Sequence, residues 1–318
     1  MARLLAVSIH DLGTLGGALS QAKAVNRHGQ VVGTSTDRLD RSRAFRWSAA
    51  DGMADLGPTR GARSSANDIN DRGEIVGGGD TSQGAFHAYL LALDTSVDLG
   101  TLGGPESEAL AVSASGHVAG QSGISGPGRH AFLYEPSGRL LDLGTLGGAT
   151  SVAHGVNDRA DVVGVAETVA REPHAFLWTV GRMRDLGTLD GGMSVALAIN
   201  GHGQVVGASG HAFLWTEARG LVDLGTLGGR TSCATDVSDT GEIVGMSQTG
   251  AVDPKGVPVT HAFFRARDGA MHDLGTLGGA HSAAAALADS GDGVVWVAGT
   301  SQDAQATTRA VLWRVCLG

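Results

Sequence analysis

A single heptapeptide recurs along this chain with a nearly fixed period. DLGTLGG stands at positions 11–17, 98–104, 142–148, 223–229 and 273–279, and two looser copies, DLGPTRG at 55–61 and DLGTLDGG at 185–192, fill the gaps. The aspartates that open the copies are 44, 43, 44, 43, 38 and 50 residues apart. A period of that length means one supersecondary unit that cannot bury its apolar face alone and stacks on copies of itself. The same constancy limits what the motif says about function, because a residue present in every copy reads as scaffold.

Aligned on the motif, the copies share three further landmarks. After the double glycine comes Ser-x-Ala-x-x-(Val/Ile)-Asn, as at 20–26, 64–70, 151–157 and 194–200. A turn and a β-branched run follow, with Val-Val-Gly or Ile-Val-Gly at 31–33, 75–77, 162–164, 205–207 and 243–245. A variable polar loop then leads to His-Ala-Phe-Leu-Trp or a relative, beginning at His87, His130, His174, His211 and His261. With the run that ends in Asp-Leu-Gly, each copy holds four short strands bounded by Gly, Asn and Asp. No segment has a helical period. Four antiparallel strands in 40–45 residues is the proportion of a propeller blade. The expectation is therefore an all-β, seven-bladed β-propeller of four-stranded antiparallel blades, one domain spanning residues 1–318. The ends are out of phase: 4–11 reads as an outer strand with nothing before it, and the last copy, 282–313, lacks its outer strand. Pairing the two closes the ring and leaves no open edge. A β-solenoid is the alternative, but it needs capping ends and leaves the complementary halves unexplained.

Composition narrows the partners. The 51 glycines come with only 7 prolines and no collagen triplet, so they belong to turns. A net charge of −9 without a basic stripe excludes nucleic acid as an expected partner. Two cysteines make no disulfide framework, and no apolar run reaches the length of a membrane span. The opening MARLLAVSIHDLG has no small-residue cleavage site and serves better as a strand than as a leader. A monomer is expected.

The combination of DLGTLGG, HAFLW at 174–178 and 211–215, and the intervening Asn-x-x-Gly-x-Val-Val-Gly resembles the bacterial repeat family named for its His-Ala-Phe motif. The resemblance covers nearly the whole chain. It implies a propeller-type repeat protein and an extracellular or surface location, although the chain as it stands shows no leader and reads as cytoplasmic. It implies no established activity. Kelch and WD40 propellers are more distant, since the Trp-Asp signature is missing.

The repeating residues have structural readings. Motif aspartates (Asp11, Asp98, Asp142, Asp185, Asp223, Asp273) are expected to bond the amides of the glycine turn that follows. The histidines of the third strand, replaced by Arg43 and Arg309 in the first and last copies, lie too far apart in a radiating ring to share a metal and read as satisfied structural groups. Trp47, Trp178, Trp215 and Trp313 end third strands and pack between blades. Cys233 reads as a small buried residue. The glycine loops precede no helix and carry no lysine at phosphate-binding spacing. No metal or cofactor is expected.

Function is sought where the repeat stops repeating. Inner strands line the channel of a propeller, and the column after the constant alanine reads Lys23, Asn67, Leu110, His154, Leu197, Thr235, Ala285. The next reads Ala24, Asp68, Ala111, Gly155, Ala198, Asp236, Ala286, and the one before includes Glu108. Arg63, Glu106 and His281 fall at the channel mouth, on the face that also carries the variable loops. Charged side chains on innermost strands are costly unless paired or solvated, and small neighbours leave room for an occupant. The candidate ligand-binding set is Lys23, Arg63, Asn67, Asp68, Glu106, Glu108, His154, Leu197, Thr235, Asp236 and His281. The default reading is a recognition propeller for a small molecule or glycan. An enzyme of proton-transfer chemistry (lyase, cyclase or hydrolase) is the alternative, with His154 as base, Asp68 or Asp236 as its partner, Lys23 stabilising negative charge, and Glu108 in the same set. A protein-interaction or surface-structural module is a third.

Overall fold

The β-branched runs between the glycine and asparagine punctuation form strands throughout the computed structural model, which describes residues 4–57, 63–92 and 95–318. Residues 58–61 of the second motif copy and the first three residues of the opening segment lie outside the described residues. The described residues contain twenty-eight strands and no helix, so no helix is long and apolar enough to cross a membrane.

Each repeat is a four-strand meander. In the first, the inner strand Gly16–Val25 pairs with Val31–Asp37, then Ser42–Ser48, then the outer strand Gly52–Asp55, each neighbour antiparallel. The inner strands touch in chain order around a ring, from Gly16–Val25 through Ser64–Ile69, Gly103–Val112, Gly147–Val156, Val195–Ile199 and Ser232–Val237 to Gly278–Asp289, which returns to the first. Strand Leu4–Asp11 pairs antiparallel with Thr308–Leu317 and supplies the outer strand of the last sheet. The chain is an all-β propeller.

The count of separate blades differs from the expectation. Hydrogen bonding gives five four-stranded sheets, not seven, and one eight-stranded sheet. The third and fourth meanders are joined at a parallel bridge between Arg129 and Thr150. The reason lies in the Gly126-Pro127-Gly128 loop, which runs against the start of the next inner strand so closely that a Cβ on Gly128 would stand 2.8 Å from the Ala149 carbonyl oxygen. The close approach lets the Arg129–Thr150 bridge form, which continues one sheet into the next.

Two devices repeat in every meander. A serine at the head of each inner strand clamps the preceding meander. Ser151 Oγ accepts the Ala131 N–H at 2.8 Å and donates to the Gly144 carbonyl at 2.5 Å. The equivalent bonds recur at Ser20, Ser64, Ser107, Ser194, Ser232 and Ser282. The second device is a β-bulge in each inner strand, two residues past the serine's next neighbour, as between Ala153 and Gly155. The bulge pushes a carbonyl onto the glycine of Val-Val-Gly across the ladder. A Cβ on Gly164 would lie 1.9 Å from the Val152 carbonyl oxygen and 2.9 Å from the Phe176 ring. The buried core then fills the space between meanders, as where Val163, Ala175 and Leu186 meet Ala196, Val205, Phe213 and Trp215.

Gly164→Ala is accordingly expected to lower the unfolding free energy by at least about 2 kcal/mol, since neither backbone nor ring can retreat without breaking the ladder. A guanidinium denaturation midpoint unchanged from wild type would show that the bulged backbone does not press on this glycine.

Candidate functional site

The bulges decide which side chains face the axis. The residue left unpaired in each inner strand is Lys23, Asn67, Leu110, His154, Leu197, Thr235 or Ala285, where the ladder register shifts in all seven strands. Together with Ala24, Asp68, Ala111, Gly155, Ala198, Asp236 and Ala286, they bound a cavity of about 480 Å³. The two columns read from the sequence thus meet in one place.

Their chemistry is uneven. Lys23 Nζ donates to Asn67 Oδ1 at 2.6 Å, and Asn67 Nδ2 donates to Glu108 Oε1 at 3.0 Å and to the Ala109 carbonyl at 2.7 Å. Burial holds the Lys23 ammonium below its ordinary pKa, with the Glu108 carboxylate opposing the shift. Thr235 Oγ1 is satisfied within the wall by the Ala284 carbonyl at 3.0 Å. Leu110, Leu197 and Ala285 make the apolar parts. His154 makes no hydrogen bond among the described residues, and burial pushes its pKa down to about 4, so its imidazole is neutral at pH 7.

Asp68 and Asp236 have a different role from the one expected. Asp68 accepts the Ile69 and Val112 amides, and Asp236 the Val237 and Leu287 amides, all at 2.8 Å. Each carboxylate staples its own inner strand to the next. Burial raises Asp68 to about 7 and Asp236 to about 6 in spite of these bonds. Among the described residues neither carboxylate bonds His154, in place of the expected His–Asp partnership, and each oxygen of both groups is held by a backbone amide.

At the mouth, Arg63 is held by Asp80, with Nη2 3.0 Å from Oδ1, and its guanidinium lies 5.5 Å from the Phe86 ring centre. His281 Nδ1 accepts the Thr260 amide at 3.3 Å and its Nε2 lies 4.0 Å from Asp253 Oδ2. Arg63 is thus held within its own meander and His281 by the preceding one, and neither lines the channel cavity. Glu106 is exposed and its carboxylate has no partner among the described residues.

The repeating aspartates bond the glycine amide two residues on, as Asp142 Oδ1 does with Gly144 at 2.8 Å. Their second partner is the repeating histidine: His130–Asp142, His174–Asp185 and His261–Asp273 stand 2.7–2.9 Å apart. Arg43 takes the histidine's place against Asp55 at 3.0 Å, whereas Arg309 turns to Asp303. That the two columns satisfy each other was not read from the sequence. The signal was present, since they lie on adjacent strands and repeat together. Among the described residues, no three His, Cys, Asp or Glu side chains come together.

No known family profile matches the chain, and no curated protein matches it. Among solved structures, a puromycin hydrolase is similar over 92% of this chain and 51% of its own, at 13% identity and a TM-score of 0.55. A puromycin-hydrolyzing peptidase of Mycobacterium tuberculosis is similar over 81% of this chain and 45% of its own, at 15% identity and a TM-score of 0.52. A gluconolactonase of Xanthomonas campestris covers 100% of this chain and 95% of its own, at 11% identity and a TM-score of 0.49. The similarities to these two puromycin-hydrolyzing proteins support a propeller fold and nothing finer.

The buried titratable groups oppose one another in their effect on stability. For His154 the folded value of about 4 lies below the ordinary 6.5, so its contribution is full above 6.5 and is lost as the pH falls toward 4. For Asp68 and Asp236 the folded values exceed the ordinary 3.8, so their contribution is present at low pH and is lost as the pH rises from 3.8 through about 6 to 7. Relative to wild type, His154→Gln should gain stability as the pH drops from about 6.5 to 4, by on the order of 2–3 kcal/mol. Asp68→Asn should gain as the pH rises through about 4 to 7. Urea denaturation across this range tests both, and curves parallel to wild type would contradict the assignments.

Proposed function

We propose that this protein is a recognition propeller that binds a small organic ligand in its central channel, between Lys23 and His154. The observation that carries the reading is His154. His154 is half-buried, its imidazole bonds none of the described residues, and its ring nitrogens are open to whatever occupies the cavity it lines. Lys23 stands at the same level of the ring, three meanders away, and offers an ammonium whose remaining protons are free to bond. Leu110, Leu197 and Ala285 give apolar flanks. A few convergent polar groups in an otherwise apolar cavity suit a ligand with a polar end on each side of a short carbon frame.

Binding without catalysis fits these residues better than the proton-transfer reading. A general base needs an orienting group, and Asp68 and Asp236, the carboxylates expected to serve, are bonded to backbone amides. Small acids, lactones and sugars in the size range of the cavity are the compounds to test.

A thermal-shift screen of such metabolites should yield a compound that raises Tm by about 5 °C when present well above its Kd. Lys23→Ala and His154→Ala should each weaken that compound at least about tenfold in calorimetric titration. A stabiliser that binds both variants as tightly as wild type would remove the channel from consideration.

A further inference from the structure

A second cavity, of about 330 Å³, opens on the loop-bearing face between the second and third meanders. Its wall holds Phe86, Pro105, Glu106, Glu108, Gln121 and Arg129. All six occupy positions where the other copies carry different residues, so the repeat gives no reason for their convergence. Gln121 Oε1 accepts from Arg129 Nη1 at 3.0 Å, which orients the guanidinium with a neutral partner. Arg129 has no carboxylate partner, and the Glu106 carboxylate has no partner among the described residues. Opposite charges thus line one cleft without pairing. Deeper in, Glu108 Oε1 is fixed by Asn67 at 3.0 Å and by Ser65 at 3.3 Å, while Oε2 has only a long contact of 3.5 Å from Gln121. Phe86 is held in place with its ring under the Arg63 guanidinium and against the backbone of Gly78, where a Cβ would come within 2.2 Å of it.

We propose that this cleft binds a free α-amino acid. Its carboxylate pairs with the Arg129 guanidinium, whose planar fork matches two carboxylate oxygens. Its ammonium lies between Glu106 and the open oxygen of Glu108, and its side chain rests on Phe86 and Pro105. A ligand carrying both charges satisfies both unpaired groups at once, and a ligand carrying one leaves the other unmatched. The site is separate from the channel and does not rest on the ligand proposed there.

Calorimetric titration of the full chain with glycine, alanine and leucine tests this. Leucine is expected to bind saturably, with N-acetyl-leucine and leucinamide each at least about tenfold weaker, since each lacks one charge. Glu106→Gln and Arg129→Gln should each weaken leucine by about tenfold, and His154→Ala should leave it unchanged. Both cleft residues are exposed, so unchanged melting temperatures are expected; the two leucine derivatives test the charges on the wild-type protein in any case. The proposal is overturned if no free amino acid binds the wild type, if a singly charged derivative binds as tightly as leucine, or if leucine binding is lost in His154→Ala.

Discussion

Each meander carries, in or just before its inner strand, a serine whose hydroxyl makes two bonds at once, and the closed ring depends on that group. The N–H it accepts belongs to the alanine of His-Ala-Phe, at a site with no solvent. The carbonyl it reaches belongs to the glycine of the preceding Asp-Leu-Gly. A hydroxyl is the smallest side-chain group that can donate and accept together, so alanine or valine here would leave a buried amide unmet at about 1–3 kcal/mol. The last of these clamps joins Ser20 to Ala310, residues 290 apart in sequence. The chemistry that stacks neighbours thus also closes the circle, with no separate device at the seam.

The clamp sets the position of the inner strand, and the bulge that follows sets its direction. One extra residue turns the side chain after the constant alanine toward the axis. The carbonyl displaced by the bulge needs a glycine opposite, which is why the glycine that ends this run stands in all seven copies while the two residues before it vary. Scaffold and channel are two consequences of one irregularity. The repeat must keep the serine, the alanine and the glycine, and it is free to vary the residue between them. At that position one finds Lys23, Asn67, His154 and Thr235 beside leucine and alanine.

This arrangement explains what could be read in the chain beforehand. Seven aligned copies made the channel column legible, because a position that changes while its neighbours stay fixed stands out. The bulge itself was invisible, since an insertion shared by every copy leaves the spacing unchanged. The joining of two meanders at Arg129 and Thr150 depends on where one loop lies against the next strand, and no local pattern reports that. The His–Asp pairs were within reach, but they required the register of third and outer strands, which places Phe132 opposite Asp142. Asp68 and Asp236 looked like partners for His154 by type. Their two backbone amides each, supplied partly by the following meander, could not be inferred from type.

Polar side chains in the wall are not spread evenly, and the reason is physical. Lys23, Asn67 and Glu108 form a continuous chain of bonds across the first three meanders, so the charges compensate one another through an amide that touches both. Asn67 also reaches the Ala109 backbone, which gives this side of the ring the stapling that Asp236 provides on the other. The fourth meander has neither arrangement: Gly155 follows His154, and the imidazole is left facing the cavity. Glu108 belongs to the wall of the outer cleft as well as to this chain. Its Oε1 closes the chain of bonds to Asn67 and its Oε2 has the long contact with Gln121, so one carboxylate balances the Lys23 charge without lining the channel cavity.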